Sequence, residues 1–224
     1  IAFTFLIGGM IGIISKNGGM NGIVNAIMPF ASSPRRGQGV IATLGLAIFF
    51  DDYSNTMIVG NATRPMSDKL RISREKLAYL VDSTAAPVAT VAIITTWIGF
   101  QVGLIDSAIE GLEGITATPY VLFLNSIAYS FYPFLALFFV FLIVYTGKDF
   151  GPMYHAEIRA RKNGEVLKAP LDGAVAKPND DFEHKDGVPC RALNAILPIA
   201  TMILTVVVGL YISGEGETIT DIIG

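Results

Sequence analysis

At 224 residues, with 52% hydrophobic and only 16% charged side chains and a mean hydropathy of +0.54, the chain lies outside the range of soluble domains, which carry about 25% charge. A net charge of −3 with no basic stripe excludes nucleic acid as a partner. The single cysteine, Cys190, excludes an intramolecular disulfide and a zinc cluster.

The chain opens at Ile1 inside an apolar run and stops at Gly224 in a polar one, so it reads as an internal stretch of a larger protein. Residues 1–15 are apolar, carry Gly8 and Gly12 at four-residue spacing, and end at Lys16. They read as the tail of a spanning helix whose small residues permit close packing. The apolar piece 23–30 is too short to cross about 30 Å of hydrocarbon at about 1.5 Å per residue. It is expected at the interface or packed against neighbours.

Residues 40–63 form the segment that the rest of the chain serves. An apolar run ends in Phe49-Phe50-Asp51-Asp52-Tyr53-Ser54-Asn55-Thr56, with Gly60-Asn61 close behind. One acid at membrane depth costs roughly 2.5–3.5 kcal/mol, so two adjacent acids imply a bound cation or proton. Basic clusters flank the segment on both sides: Arg35 and Arg36 before it; Arg64, Lys69, Arg71, Arg74 and Lys76 after it. Under the positive-inside rule both flanks are cytoplasmic. The segment then enters and leaves on one face, as a re-entrant hairpin with residues 51–56 at its tip. One unbroken span is the alternative, and it would put basic clusters on both faces.

Residues 77–105 form the next expected span, interrupted at Pro87, which lacks an N–H and frees the carbonyl of Ser83. Asp82-Ser83-Thr84 sits at that expected break; alternatively, Asp82 lies at the interface as an acid near a helix start. The loop after it carries Asp106, Glu110 and Glu113 and no basic residue. Residues 119–147 return across the membrane, opened by Pro119 and kinked at Pro133. From Lys148 to Arg191 the segment is polar and basic, hence cytoplasmic, with a short surface helix over 153–163 stopped by Gly164 and a flexible loop over 169–189. Residues 192–212 are a final span leading to Glu215, Glu217 and Asp221. The fold class is therefore an all-α polytopic membrane protein with about four spanning helices and one re-entrant helical hairpin. A transport core covers 1–147, a cytoplasmic loop 148–191, and a further span with an outer loop 192–224.

Asp51 and Asp52 are neighbours, so their side chains diverge by about 100° on a helix. Low dielectric and mutual repulsion favour protonation, which suits a proton-exchanging group; capping a helix start is the alternative role. Ser54, Asn55, Thr56 and Asn61 offer the hydroxyl and amide oxygens that hard cations prefer, or simply form a turn. Asp82, Ser83 and Thr84 repeat that chemistry, and paired interruptions are the best sequence pointer to a transporter site. Asp52, Ser54, Asn55 and Thr56 are the candidate Na+ ligands. Asn125, Ser126, Tyr129, Ser130 and Tyr132 are weaker candidates. His155 and His184 are not placed as ligands, and Trp97 and Phe100 fit an aromatic belt or core.

The run from Phe49 to Asn61 with Arg64-Pro65 resembles the NhaC-type sodium/proton antiporters, as do Ile72-Ser73-Arg74-Glu75-Lys76-Leu77-Ala78-Tyr79, Asp82-Ser83-Thr84-Ala85-Ala86-Pro87-Val88-Ala89, Thr96-Trp97-Ile98-Gly99 and, more weakly, Tyr129 to Pro133 and Thr146 to Pro152. Ser54-Asn55-Thr56 is similar to the sodium-binding signature of the wider ion-transporter superfamily, where it sits at a re-entrant hairpin tip. The resemblance implies a multi-pass transporter of the cytoplasmic membrane that exchanges Na+ for H+ by alternating access; some members exchange small carboxylic acids such as malate or lactate. The expected partners are the lipid bilayer, Na+ and H+, the remainder of the same chain, and a second copy in a homodimer. Na+ and H+ are cargo, and no resident cofactor is expected. Two rival readings remain. An intramembrane aspartyl protease would pair Asp52 with Asp82, although no Gly-x-Gly-Asp precedes either acid, and a purely structural subunit would leave the acids unexplained.

Overall fold

The computed structural model describes residues 9–10, 12–14, 16–49, 51–93, 95–112, 115–168 and 187–213. The expectations for residues 1–8, for His184 and most of the loop over 169–189, and for the acidic residues 215–221 lie outside the described residues. What is described is helical, with no strand among the described residues.

Helix α1 is Gly19–Ile27 and runs into a 3-10 turn, Met28–Phe30. Then come α2 (Pro34–Ala47), α3 (Asp52–Lys69), α4 (Arg74–Val91), α5 (Thr96–Ile109), α6 (Pro119–Ile127), α7 (Phe131–Thr146), α8 (Gly151–Asn163) and α9 (Leu193–Ser213). Their starts follow the local chemistry. Ser33, Ser73, Thr95 and Thr118 each sit extended at an N-cap and accept a backbone N–H of the following turn. Pro34 and Pro119 occupy first-turn positions, where no N–H is needed. Gly147 and Gly164 end α7 and α8 in the left-handed conformation, φ 63° and 75°. Arg35 lies so close to Gly147 that a Cβ there would be 2.3 Å from its Nε.

Helices α2 and α3 form the expected hairpin, with longer arms than residues 40–63. The start of α2 meets the end of α3: a Cβ on Gly37 would strike Leu70, beyond the last residue of α3. The tip also differs from expectation. Helix α2 ends at Ala47 and α3 begins at Asp52, so Asp52 to Thr56 are already helical. Asp51 causes this. Extended at φ −157°, it caps α3 by accepting the Ser54 N–H at 2.7 Å.

Two other expected interruptions fall elsewhere. Pro87 does not break its segment; α4 continues through it to Val91, and the break is at Ala92–Thr95. Pro87 is buried among packed helices, so neighbours keep the segment helical while one N–H bond is forgone. Likewise Pro133 does not kink a single span. The segment breaks at Ala128–Ser130, and Pro133 lies in the first turn of α7, where its missing N–H costs nothing. Residues 77–105 and 119–147 are thus each two helices rather than one.

Among the described residues, one stretch is long and apolar enough to cross a membrane by length and composition, Phe131–Asn163. Gly147 divides it, and the apolar part is α7. Trp97–Ile109 is apolar but shorter, and Leu193–Met202 is the apolar opening of α9. The core joins α2, α3, α4 and α7 through Ile41, Ala42, Val59, Met66, Leu77, Leu80, Val81 and Val140. A second cluster sets Ile14 and Ala195 against Ile58 and Ala62 of α3. A third holds α5 to α6 through Ile98, Val102, Tyr120 and Phe123.

Candidate functional site

The break between α2 and α3 leaves the last carbonyls of α2 without helical partners. Asn55, one turn into α3, satisfies two of them: its Nδ2 donates to Gly45 O at 2.6 Å and to Ile48 O at 2.7 Å. Those two carbonyls fix which way the amide points. Its Oδ1 therefore faces away, fully buried, with no hydrogen-bond donor among the described residues. An unsatisfied buried acceptor costs about 1–3 kcal/mol.

The break assembles other polar groups. Asp51 is 3% exposed, and its Oδ2 accepts both the N–H and the hydroxyl of Ser54, each at 2.7 Å. Capping, the alternative role raised from sequence, is thus what Asp51 does here. Thr84 reaches the same place from α4. It is fully buried, donates to Leu80 O and Val81 O, and lies against Gly45, where a Cβ would be 2.0 Å from its Oγ1. Only glycine lets α2 come this near.

The remaining candidates separate. Asp52 is half-buried at the rim and accepts the Trp97 indole N–H of α5 at 3.1 Å. Thr56 and Asp82 are exposed and line a cleft of about 530 Å³ with Gly60, Arg74 and Tyr79. Asp82, Ser83 and Thr84 lie in the body of α4, not at a second break. Ser83 is half-buried, and Asn61 donates to Met57 O within its own helix. Tyr129 and Tyr132 are 75% and 76% exposed, Asn125 is exposed, and the Ser126 and Ser130 hydroxyls bond carbonyls of their own turns. His155 packs against Tyr154. No group of three His, Cys, Asp or Glu side chains converges among the described residues.

A polar assembly at the base of the hairpin was not visible in the sequence. Lys76, expected as part of a solvated basic flank, is 1% exposed and paired with Asp149. Helix α8, expected at the surface, buries Ala156, Glu157 and Ala160. Arg159 reaches both oxygens of Glu75 at 2.8 and 2.9 Å. The segments assigned to one membrane face by charge thus meet at one end of the molecule. Here too Asp68, bonded to Arg74 at 2.8 Å, has its pKa raised, because desolvation outweighs Arg74 and Arg64. Arg74 is in turn lowered by burial.

Interrupted helices that gather buried carboxylate, hydroxyl and amide oxygens at their breaks are the architecture of membrane transporters of ions and small solutes. Residues 88–223 match the Na+/H+ antiporter family, and the chain belongs to that family. The family is one of membrane transporters, not enzymes, so the protease reading of Asp52 and Asp82 falls. The match begins at Val88, downstream of the hairpin. A Haemophilus influenzae protein, described as uncharacterized, is 27% identical over 221 residues; the match takes in 99% of this chain and 40% of that protein. The chain thus spans about two fifths of that relative's length. No solved structure matches it.

Proposed function

We propose that this chain carries the ion seat of a sodium/proton exchanger of the NhaC type, in a multi-pass cytoplasmic-membrane protein working by alternating access. The observation that carries the reading is the orphaned Oδ1 of Asn55, buried one helical turn after Asp51 and next in sequence to Ser54, at the break that follows α2. A helix C-terminus bears partial negative charge. With a carboxylate, a hydroxyl and an amide oxygen it makes a hard-cation environment. Na+ would supply Asn55 Oδ1 with the partner that it lacks.

Exchange then follows from competition. Na+ is held at the ionised carboxylate of Asp51, with Asp52 adding negative charge at the rim, and a proton taken up there removes the charge and releases it. Thr84 and Gly45 support the seat from behind, while Thr56 and Asp82 line its watery approach. Lipid surrounds α7, whose Phe134, Leu135 and Phe138 are exposed. The test is sodium-driven proton movement by the intact protein in vesicles. Asp51→Asn and Asp52→Asn abolish it, and Asn55→Ala raises the half-saturating Na+ concentration about tenfold or more. Normal exchange in all three would refute the seat.

A second reading, exchange of a small organic acid coupled to Na+ or H+, draws on one observation. Arg74 lines the cleft shared with Thr56 and Asp82, giving a carboxylate a cation to meet. Arg74→Gln would then abolish carboxylate-driven flux and spare exchange of Na+ for H+.

A further inference from the structure

Glu157 stands on α8, outside the hairpin, yet it is 3% exposed. Its Oε1 accepts the N–H and the hydroxyl of Ser73, both at 2.8 Å. Its Oε2 accepts Arg161 at 2.9 Å and Gln38 at 3.5 Å. These donors come from the N-cap of α4, the first turns of α2 and α8 itself. A buried carboxylate with both oxygens filled is costly to displace, because each donor it leaves must be satisfied elsewhere.

Helices α2 and α4 lie side by side in the same direction. Glu157 joins Gln38 to Ser73 at one end, and Gly45 meets Thr84 at the other. Gly45 also presents a carbonyl to Asn55, at 2.6 Å. A one-residue slip of α2 along α4 would carry that carbonyl about 1.5 Å. That is enough to break the bond and to reorient Asn55 Oδ1.

We propose that Glu157 is a positioning residue for the cation seat: by tying Gln38 to Ser73 it sets the register of α2 against α4, and so the placement of Gly45 and Asn55. This rests on the reading of the hairpin break as the ion seat. It makes the loop helix α8 a part of the transport machinery, acting through the hairpin without touching the ion.

The test uses Glu157→Gln in the intact protein, reconstituted in vesicles. The amide keeps the shape of Glu157 but turns a donor toward either Ser73 or Gln38 and Arg161. The half-saturating Na+ concentration is expected to rise about tenfold, equivalent to about 1.4 kcal/mol of coupling, with the maximal rate little changed. Glu157→Asp, which keeps the charge, should recover much of the loss, and it carries the test if the glutamine variant does not fold. A lower yield and maximal rate with unshifted Na+ dependence would mean a role in folding alone and would overturn the proposal. An ion-independent readout separates the two readings. Thr84→Cys, in a Cys190→Ser background, reports the α2–α4 contact through its reaction with a thiol reagent. Faster labelling in Glu157→Gln is expected, and unchanged labelling would overturn the register mechanism. Faster labelling with unshifted Na+ dependence would refute the ion seat instead.

Discussion

The buried pair Lys76–Asp149 offers a sharp energetic test of the assembly at the hairpin base. The side chains are 1% and 5% exposed, so solvent screening is slight and the rules for buried rather than surface pairs apply. The Lys76 ammonium also lies 5.6 Å from the centre of the Tyr79 ring, within range of a cation–π contact. Replacing one partner leaves the other as an uncompensated buried charge, at a cost of about 3–5 kcal/mol. Lys76→Met and Asp149→Leu should each lose about that much stability. The double variant should lose far less than the sum, since a well-packed apolar pair is often as stable as the ions it replaces. The assay is a double-mutant cycle of unfolding in mixed detergent–SDS micelles, with proteolysis after Arg159 or Arg161 as a second reporter of α8 docking. Single variants that each lose less than about 1 kcal/mol, the range of exposed pairs, would refute the burial argument. So would a double variant whose loss equals the sum.

The other predictions concern the seat and its surroundings. Gly45→Ala drives a Cβ to 2.0 Å from Thr84 Oγ1, so about 1–3 kcal/mol of stability should go. Thr84→Ala should restore only part of this, because its Cβ would still be 2.7 Å away; full stability in Gly45→Ala alone would contradict the close approach. Asp51→Asn should fold as the parent does, since asparagine caps as well as aspartate, whereas Asp51→Ala should lose about 1 kcal/mol; thermal melts distinguish the two. Asp68 has a folded pKa raised above 3.8. Its contribution to stability is therefore present below that value and lost as the pH rises through the folded one. In melts across that window, Asp68→Asn should gain on the parent as the pH rises, and an opposite trend would mean that Arg74 outweighs desolvation.

Much of the architecture was legible because it depends on local chemistry. Pro119 opens a helix and Gly164 stops one, as read from the sequence, each through groups within four residues. A paired-helix arrangement of this segment was legible from its polar centre and the basic clusters on both flanks. The prolines were read less well. A free N–H is lost at Pro87 wherever it stands, but whether that breaks the helix depends on what is packed around it. At Pro133 the break came before the proline, because a helix start tolerates what a helix interior resists.

The candidate site divided in the same way. The chain by itself determined which oxygens were available: Asp51, Asp52, Ser54, Asn55 and Thr56 are contiguous, and an apolar run leads into them. It also determined that Asp51 could cap, since an acid three residues before Ser54 N–H is in range. Only the tertiary structure decided that Asn55 spends both its amide hydrogens on the end of α2 and so leaves Oδ1 turned away from those carbonyls yet buried, that Thr84 packs against Gly45 while Asp82 lines a cleft, and that Lys76, Asp149 and Glu157 are buried. The physical reason is that a helix gives successive residues directions about 100° apart, while burial depends on which neighbour covers each direction. A charge such as Lys76 looks solvated in sequence until a counter-charge 73 residues away folds over it.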